Sequence, residues 1–354
     1  MVSYSICIIT KNECNILEEC LQRIKSLGQE IVVLDTGSTD GTCEMVVKYT
    51  DKLYHFEWCN DFSAARNECI KYASNDYILT VDSDEYLTEW NEVENQRLIE
   101  KNPKGIGRIY LTDTYTQQGE TRTATSGIGR FFNKKYYQYE GAIHEQITPI
   151  SKDFTPEYFA LNARFDHNSY SGDLATRTAR AQRNVALLKE ALKEDPQDTY
   201  LMFQLGQAYF MMEDYEEALK AYSEALTYDI DPRLEYVQNM IESYGYSLLY
   251  TKRYQEALGL EGIYEEFAVN ADFCFLMGLI YMNNALFDLA IQEFLNATKQ
   301  KVCKVTGADS YRAYYNIGVI YECTGKVNEA LEYYKRCGSF EPAVSRIALL
   351  NQTN

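Results

Sequence analysis

The sequence predicts an α/β domain with a mostly parallel sheet, followed by an all-α array of helical repeats. Up to about residue 171, short apolar segments alternate with amphipathic helical segments, a pattern typical of the βα units that build parallel sheets. From about residue 199 the pattern is helical without interruption, and small and aromatic residues recur at fixed offsets, as expected for stacked helix pairs. A length of 354 residues allows each domain its own core.

The elements of the first half follow one another as strand, helix, strand. We predict buried parallel strands for "YSICIIT" (4–10) and "EIVVLDT" (30–36), because both are continuously apolar. The segment between them has apolar residues at helical spacing and is closed by Gly28. A second helix is expected after "GSTDGT", and the next elements are predicted as the strand "KLYHF", the helix "SAARNECIKYA" and the strand "DYILTVD".

The second half contains internal repeats. Gly206, Gly278 and Gly318 are each followed by Tyr three residues later and by Ala twelve residues later, and a weaker copy contains Gly245 and Ala257. Gly and Ala are expected where two antiparallel helices touch, and large residues where helix pairs stack. These segments resemble tetratricopeptide repeats. A non-repetitive helical bundle is the alternative interpretation.

The change of pattern sets the predicted domain boundaries. An α/β domain over residues 1–171 is followed by a linking or capping helix over 172–198 and by the repeat domain over 199–354. The individual repeats are predicted near 199–232, 238–271, 271–304 and 311–344. Helical repeat arrays expose extended concave faces, so we expect the repeats to bind a partner molecule or to form a homodimer.

The charge balance disfavours two classes of partner. There are 52 Asp and Glu residues against 34 Lys and Arg residues, which gives a formal net charge of −18. Nucleic acids and anionic membranes are bound by basic surfaces, so we expect neither as a partner. A smaller anion can still be bound where a metal ion neutralises its charge.

The cysteines indicate the compartment. None of the ten cysteines forms a CxxC pair, and several lie in apolar runs, so we expect free, mostly buried thiols in a reducing environment. The first residues have the pattern of a strand rather than of a leader peptide, and no segment has the length and apolar character of a transmembrane helix. The expected localisation is cytoplasmic.

Polar loops follow three of the predicted strands, at Thr10–Glu13, Asp35–Thr42 and Asp82–Glu85. Because the carboxyl ends of parallel strands lie at one edge of a sheet, where ligands bind, we expect the three loops to surround one crevice. Neither a G-x-G-x-x-G nor a P-loop pattern is present. Dinucleotide oxidoreductases and P-loop kinases are therefore disfavoured.

The third loop contains the motif Asp82-Ser83-Asp84 directly after an apolar run. Asp-x-Asp also occurs by chance in solvated turns, but two clustered aspartates raise each other's pKa unless a cation compensates. Mg²⁺ and Mn²⁺ prefer carboxylate oxygens and often bridge them to phosphates. The motif therefore indicates a site for a divalent metal ion and a diphosphate.

The motifs of the first half, taken in order, resemble a known family. "SICIITKNEC", "EIVVLDTGSTDGT", "NDFSAARNECIKYA" and "YILTVDSDE" are similar to family-two glycosyltransferases, which have the nucleotide-diphospho-sugar transferase (type A) fold, a mostly parallel, Rossmann-like α/β arrangement. The resemblance covers about residues 3–170. With its repeats, the chain is also similar in architecture to bacterial peptide S-glycosyltransferases.

The resemblance implies a binding site for the nucleotide-sugar donor. Thr10 and Glu13 would lie beside the nucleoside and Asp35 beside the base, although many members carry a second acidic residue where this sequence has Thr36. Arg66 would contact the base or the diphosphate, with a helix-surface arginine as the alternative.

The same resemblance implies a metal site next to the diphosphate. Asp82, followed by Ser83, would touch the ribose or a metal-bound water, and Asp84 would bind Mn²⁺ or Mg²⁺ directly. His167 would bind the metal ion or contact the diphosphate. Arg130 could neutralise phosphate charge, with a surface strand arginine as the alternative.

The catalytic residues implied for transfer lie in a later loop, "YEGAIHEQI". In an inverting displacement the acceptor usually loses its proton to a carboxylate base. Glu145 is the first candidate, and Glu140 and Asp113 are the next. His144 is expected on the acceptor side. His55 is expected to be structural.

We therefore expect a metal-dependent inverting glycosyltransferase. It would move a sugar, with UDP-hexose favoured as donor, to a peptide, protein or glycan, through a sulfur, oxygen or nitrogen atom. A catalytically inactive, transferase-like repeat scaffold is the alternative. A sugar-nucleotide-synthesising nucleotidyltransferase would need a Gly-rich basic N-terminal loop, which "TKNECN" lacks.

Overall fold

The computed structural model of the chain describes residues 2–117, 120–151, 153, 155–167 and 174–353. The chain divides into two compact units. The first comprises Met1–Thr116 and Thr123–Arg177, and the second comprises Gln117–Arg122 and Thr178–Asn354. The first is an α/β unit and the second is almost wholly helical.

The strands of the described residues belong to one large sheet and one small sheet. They are β1 (Tyr4–Thr10), β2 (Glu30–Asp35), β3 (Leu53–His55), β4 (Tyr77–Thr80), β5 (Glu85–Trp90), β6 (Ile106–Gln117), β7 (Glu120–Asn133), β8 (Tyr137–Glu140), β9 (Gln146–Pro149) and β10 (Tyr158–His167). The large sheet has the order β3-β2-β1-β4-β7-β6-β10-β5, and β8 pairs with β9 in the small sheet.

The predicted strand–helix order of the first half is confirmed. The helices between the strands are α1 (Cys14–Ile24), α2 (Thr42–Val46), α3 (Phe62–Lys71) and α4 (Glu92–Lys101). Strand β1 runs parallel to β2 and β4, and β2 runs parallel to β3. The sheet as a whole is mixed, because β7 is antiparallel to β4 and β5 is antiparallel to β10.

Both faces of the large sheet are covered at β1 and β2, which explains why these two strands are apolar without alternation. Along β1, Ile6 and Ile8 belong to the core that also contains Leu17 and Leu21 of α1. Cys7 points to the other face and belongs to the core that contains Cys69 of α3. Successive side chains of a strand point to opposite faces, so the two cores lie on the two sides of one sheet.

The helical unit is built from consecutive helices. They are α5 (Leu174–Glu194), α6 (Thr199–Met211), α7 (Tyr215–Ala225), α8 (Glu235–Tyr250), α9 (Tyr254–Ala257), α10 (Tyr264–Phe267), α11 (Ala271–Asn283), α12 (Phe287–Ala297), α13 (Tyr311–Cys323), α14 (Val327–Arg336) and α15 (Glu341–Thr353). Helices α6 and α7, α11 and α12, and α13 and α14 pack as successive pairs.

The recurring glycines lie where the paired helices touch. A Cβ atom on Gly206 would come within 2.2 Å of the ring of Tyr222 in the partner helix. The same relation holds for Gly278 with Phe294 and for Gly318 with Tyr334. Real Cβ contacts are essentially never this short. Only glycine therefore lets the aromatic ring lie flat against the facing backbone at these positions.

The weak repeat has an interrupted second helix. After α9 the chain forms a 3₁₀ segment over Leu258–Ile263, which contains Gly259 and Gly262, before α10 begins. Glycine inside a helix is unfavourable, and the short α9 and α10 helices agree with that preference. The helix pair is nevertheless closed, because Leu260 packs with Gly245 of α8.

All ten cysteines are free, as expected, but only half of them are buried. Cys59 and Cys323 are exposed, and three others are partly buried. None of the helices in the described part of the chain combines the length and the apolar character that crossing a lipid bilayer requires.

Candidate active site

The loops after β1 and β2 are joined by hydrogen bonds at the carboxyl edge of the sheet. The main-chain carbonyl of Thr10 accepts from both the N–H and the hydroxyl of Thr36, at 2.9 and 3.0 Å. Asn12 has a φ of 56° and bonds the second loop twice: its N–H donates to Ser38 Oγ, and its side-chain oxygen accepts from the N–H of Thr39. The two loops thus form one wall of the crevice.

The third loop, after β4, joins the same wall through Ser83. The Ser83 hydroxyl donates to the carboxylate of Glu13, and the Glu13 N–H donates to Thr42 Oγ1 at 3.0 Å. Ser83 and Thr42 are both buried. All three predicted loops therefore meet, and Thr10, Glu13 and Ser83 lie together.

Asp35 organises the second loop. Its side chain is buried at the end of β2 and accepts hydrogen bonds from the N–H groups of Gly37 and Ser38. Burial alone would raise the pKa of Asp35, but hydrogen bonds from Ser38 and Gly37 outweigh burial and lower it. Asp35 is therefore an anchored, ionised carboxylate facing the crevice edge.

A mixed group of side chains surrounds Asp35. One ligand atom each of Asp35, Cys43 and His55 lies within 4.8 Å of the others. His55 Nδ1 is 3.5 Å from Asp35 Oδ2, and 68% of the His55 side chain is exposed. The structural role expected of His55 stays a prediction, and its exposure follows from its position at the end of β3, a short edge strand.

Asp82 lies between two arginines. Its Oδ1 accepts from Arg66 Nη2 at 2.7 Å and its Oδ2 from Arg130 Nη2 at 2.5 Å. Burial would raise the pKa of Asp82, but Arg130 and Arg66 hold it well below its usual range. Arg66 is buried and only 11% of the Arg130 side chain is exposed, which excludes the surface alternatives for both arginines.

Glu85 completes this charge cluster and was not among the predicted site residues. It is fully buried, its carboxylate accepts from Arg130 and from the N–H of Asp82, and burial raises its pKa despite the arginine. The only sequence signal was its position directly after the Asp-x-Asp motif. Its partner Arg130 lies 45 residues further along the chain.

Glu145 also joins the cluster, through Arg66. The Nε of Arg66 donates to Glu145 Oε1, and the Glu145 side chain is 10% exposed. Glu140, by contrast, is exposed at the end of β8, and its carboxylate accepts from Gln138. Glu145, the first candidate base, therefore lies inside the crevice. Glu140, the second candidate, lies outside the charge cluster.

The loop that carries Glu145 is held by α3. The side-chain amide of Asn67 donates to the carbonyl of Tyr139 and accepts from its N–H, at 2.8 and 2.9 Å. The Phe62 N–H donates to the carbonyl of Ala142. His144 has a φ of 52°, and burial lowers its pKa. These contacts fix the base of the loop, a role that sequence reasoning missed for Asn67.

His167 lies between two carboxylates. Its Nδ1 is 2.6 Å from Asp113 Oδ1, and its Nε2 is 3.5 Å from Asp84 Oδ1. Burial disfavours the imidazolium, but Asp113 and Asp84 outweigh burial and raise the pKa of His167 to about 10. The predicted pair of Asp84 and His167 is therefore brought together, and Asp113 orients the imidazole.

These residues fit a divalent metal ion. Carboxylate oxygen and imidazole nitrogen suit Mn²⁺, and carboxylate oxygen suits Mg²⁺. A metal-binding histidine usually has its other ring nitrogen held by a carboxylate, as Asp113 holds Nδ1 here. His167 Nε2 lies 3.5 Å from Asp84, and the raised pKa of the imidazole favours positive charge at this position.

Comparison with known proteins finds matches in both halves of the chain. Residues 5–149 match the family model described as glycosyl transferase family 2, and residues 199–232 and 311–343 match tetratricopeptide repeat models. The chain therefore contains a region similar to glycosyl transferase family 2, followed by regions similar to tetratricopeptide repeats. The fold and the family resemblance predicted from the sequence are confirmed.

Individual relatives share parts of the chain. The SPbeta prophage-derived glycosyltransferase SunS of Bacillus subtilis is 28% identical over 60% of this chain and 50% of its own length. A TPR repeat-containing protein of Synechococcus elongatus is 42% identical over 27% of this chain and 24% of its own length. An uncharacterized glycosyltransferase of Rickettsia conorii is 32% identical over 23% of this chain and 29% of its own length. The chain thus spans half or less of the length of each relative.

Proposed function

We propose that the chain is an inverting glycosyltransferase that moves a sugar from a nucleotide-diphosphate donor, with UDP-hexose favoured, to a peptide, protein or glycan. The observation that carries the proposal is the buried cluster of Arg66, Asp82, Arg130 and Glu85 beside Asp84. Buried charges are costly unless they are paired or functional, and this cluster lies at the carboxyl edge of the sheet, where ligands bind. A cytoplasmic location is part of the proposal, supported by ten free cysteines.

The nucleoside end of the donor is assigned to the wall made by the first two loops. Thr10, Glu13 and Asp35 line it, and Thr10 Oγ1 is buried without a hydrogen-bond partner among the described residues. A buried polar atom without a partner is unfavourable. A nucleotide that bonds this hydroxyl would remove the penalty.

The diphosphate is assigned to the two arginines and to the metal ion, Mn²⁺ or Mg²⁺. Asp84 and His167 would hold the ion, which would supply Lewis-acid stabilisation of the departing diphosphate. Arg66 and Arg130 supply guanidinium groups that suit phosphate oxygens. Asp82 holds both arginines in place, and Glu85 also holds Arg130.

The transfer step is assigned to Glu145, with His144 on the acceptor side. The acceptor atom forms a bond to the anomeric carbon while the bond from that carbon to the diphosphate oxygen breaks. The acceptor proton passes to the Glu145 carboxylate, which Arg66 holds within the cluster. A positioned base of this kind contributes roughly 10²–10⁴-fold to the rate.

Donor hydrolysis tests the proposal. Purified protein is incubated with Mn²⁺ and with UDP-, GDP- or dTDP-sugars, and Asp84→Ala is compared with Asp51→Ala, an exposed carboxylate of the same unit. We expect one donor to be cleaved, and the activity to be lost only in Asp84→Ala. Full activity of Asp84→Ala would contradict the metal assignment.

Calorimetric titration with UDP and Mn²⁺ separates the remaining outcomes. Binding without cleavage would mean that the reaction requires the acceptor. Failure to bind any nucleotide would overturn the proposal in favour of a transferase-like scaffold. The repeats are assigned to acceptor binding or to a homodimer, which light scattering of the full chain would distinguish.

A further inference from the structure

We propose a second metal site of a different chemical kind, a Zn²⁺ site formed by Asp35, Cys43 and His55. These residues lie around the loop that is assigned to the nucleoside, and not at the Asp84 site. Zinc bound there would compete with the donor nucleotide. The proposal of zinc binding depends only on the geometry of the three residues. The proposal that zinc competes with the nucleotide also rests on the proposed function.

The backbone fixes the relation between two of the ligands. Asp35 and His55 are register partners in the parallel pair β2 and β3, so their side chains point to the same face of the sheet. The Phe56 N–H donates to the Asp35 carbonyl at 2.9 Å and keeps the two strand ends together. The Oδ2–Nδ1 distance of 3.5 Å follows from this pairing.

The third ligand, Cys43, is positioned by the loop that Asp35 stabilises through its hydrogen bonds. Asp35 accepts from the N–H groups of Gly37 and Ser38, and the loop then turns through Gly41, at a φ of 89°, into α2. Cys43 is the second residue of α2. Its Sγ lies within 4.8 Å of the carboxylate and the imidazole.

The three ligand atoms favour zinc, whereas the Asp84 site is assigned to Mn²⁺ or Mg²⁺. Thiolate, imidazole and carboxylate are the ligands of zinc sites, whereas Mg²⁺ and Ca²⁺ take oxygen ligands. With zinc–ligand distances of about 2.0–2.3 Å, tetrahedral ligand atoms are roughly 3.5 Å apart. The Asp35–His55 distance already has this value.

The remaining adjustment is small and requires only side-chain rotation. The Cys43 Sγ lies within 4.8 Å of the other two ligand atoms, so it has to approach by at most roughly 1.3 Å, which a change of its single χ angle can provide. The His55 ring is largely exposed and can turn toward the metal ion. Three protein ligands leave the fourth zinc position open for water. Binding requires Cys43 as the thiolate, so its proton leaves to solvent.

Competition with the donor follows from the shared carboxylate. Asp35 is assigned to the nucleotide base, and an oxygen bound to zinc is no longer available for that contact. The structural alternative is a plain Asp35–His55 hydrogen bond, which does not involve Cys43. Loss of zinc binding on changing Cys43 therefore distinguishes a metal site from that bond.

The first test measures zinc binding to the full chain without any nucleotide. Metal-free protein competes with a chromogenic chelator for Zn²⁺, and Co²⁺ serves as a spectroscopic probe of thiolate coordination. We expect one equivalent of zinc that depends on Cys43, in addition to any zinc held by Asp84 and His167, and a thiolate-to-cobalt absorption band. Both should be lost, with at least tenfold weaker binding, in Cys43→Ser and His55→Asn, and retained in Cys59→Ser, the matched exposed cysteine of the same unit. Equal zinc affinity of Cys43→Ser and the unchanged protein would overturn the site.

The second test measures UDP affinity by calorimetry with and without zinc. We expect zinc to weaken UDP binding at least tenfold in the unchanged protein and not in His55→Asn. If zinc and UDP bind independently, the competition is overturned while the site stands. If zinc binds but UDP does not, the zinc site stands and the proposed function is contradicted. If UDP binds and zinc does not, only this inference fails.

Discussion

Arg66 donates a hydrogen bond from Nη2 to Oδ1 of Asp82 at 2.7 Å, and the arginine is buried. Burial disfavours its charge, but Asp82 and Glu145 outweigh burial and raise the pKa of Arg66 above its usual value. The arginine therefore connects the residue assigned to the donor with the residue assigned as base. Changing Arg66 should affect stability and activity together.

Arg66→Met should leave Glu145 without its arginine partner and remove one of the two arginines that pair with Asp82. A buried charge left without its partner costs about 3–5 kcal/mol, so we expect thermal unfolding at clearly lower temperature and no donor cleavage. Arg23→Met removes a surface ion pair with Glu19 and should change the free energy of unfolding by less than about 1 kcal/mol. Equal effects of the two changes in a denaturation experiment would contradict the importance of the cluster.

Glu145→Gln should retain donor binding and lose transfer by about 10²-fold or more, because the amide cannot accept the proton. Glu140→Gln is the matched control, since Glu140 is exposed and lies outside the charge cluster. The measurement is UDP affinity by calorimetry together with transfer rate. Normal transfer by Glu145→Gln would exclude this carboxylate as the base.

Metal binding should release a proton from His167. Its raised pKa of about 10 keeps the imidazole protonated in the metal-free protein at neutral pH, and only the neutral ring binds a metal. Mn²⁺ affinity should therefore rise by about tenfold per pH unit between about pH 7 and 9. Calorimetry in two buffers of different ionisation enthalpy should report the release of one proton on Mn²⁺ binding. In His167→Asn this proton release should be absent. A pH-independent affinity would contradict this prediction.

The same shift predicts the pH dependence of stability without metal. A folded-state pKa raised from 6.5 to about 10 contributes stability that is fully present below about pH 6.5 and is lost as the pH rises through about 10. Urea denaturation with a chelator present should show this loss. In His167→Asn the loss between these pH values should be smaller.

The recurring glycines predict a stability difference between two Gly→Ala changes. A Cβ on Gly278 would lie 2.7 Å from the ring of Phe294, whereas one on Gly259 would meet nothing within 4 Å. We expect Gly278→Ala to destabilise by about 1–3 kcal/mol, and Gly259→Ala to be neutral or to stabilise by up to about 1 kcal/mol. Thermal denaturation measures both, and equal effects would contradict the close helix contact.

The sequence was informative wherever structure depends on neighbouring residues. The strands β1 and β2 and the helix between them follow from apolar runs and from Gly28, which adopts the left-handed conformation expected of a helix end. The repeats follow from glycines at constant offsets. In both cases the pattern extends over about one helix or strand. It can therefore be recognised in a single sequence.

The sequence was less informative where structure depends on distant residues. Strand β7 joins the sheet antiparallel to β4, and no local pattern fixes that direction. Arg66 meets Glu145 across 79 positions and Arg130 meets Glu85 across 45. The residue types at the site could be proposed from motifs. Which arginine pairs with which carboxylate could not be read from them, because that depends on the packing of whole elements.

The two exposed cysteines have a practical consequence. Cys59 belongs to the α/β unit and Cys323 to the helical unit, and both thiols are exposed while five others are buried. A maleimide reagent therefore finds one well-exposed attachment point on each unit without any added mutation. A donor and an acceptor fluorophore at these points would report by energy transfer how the separation of the two units responds when nucleotide or acceptor is added.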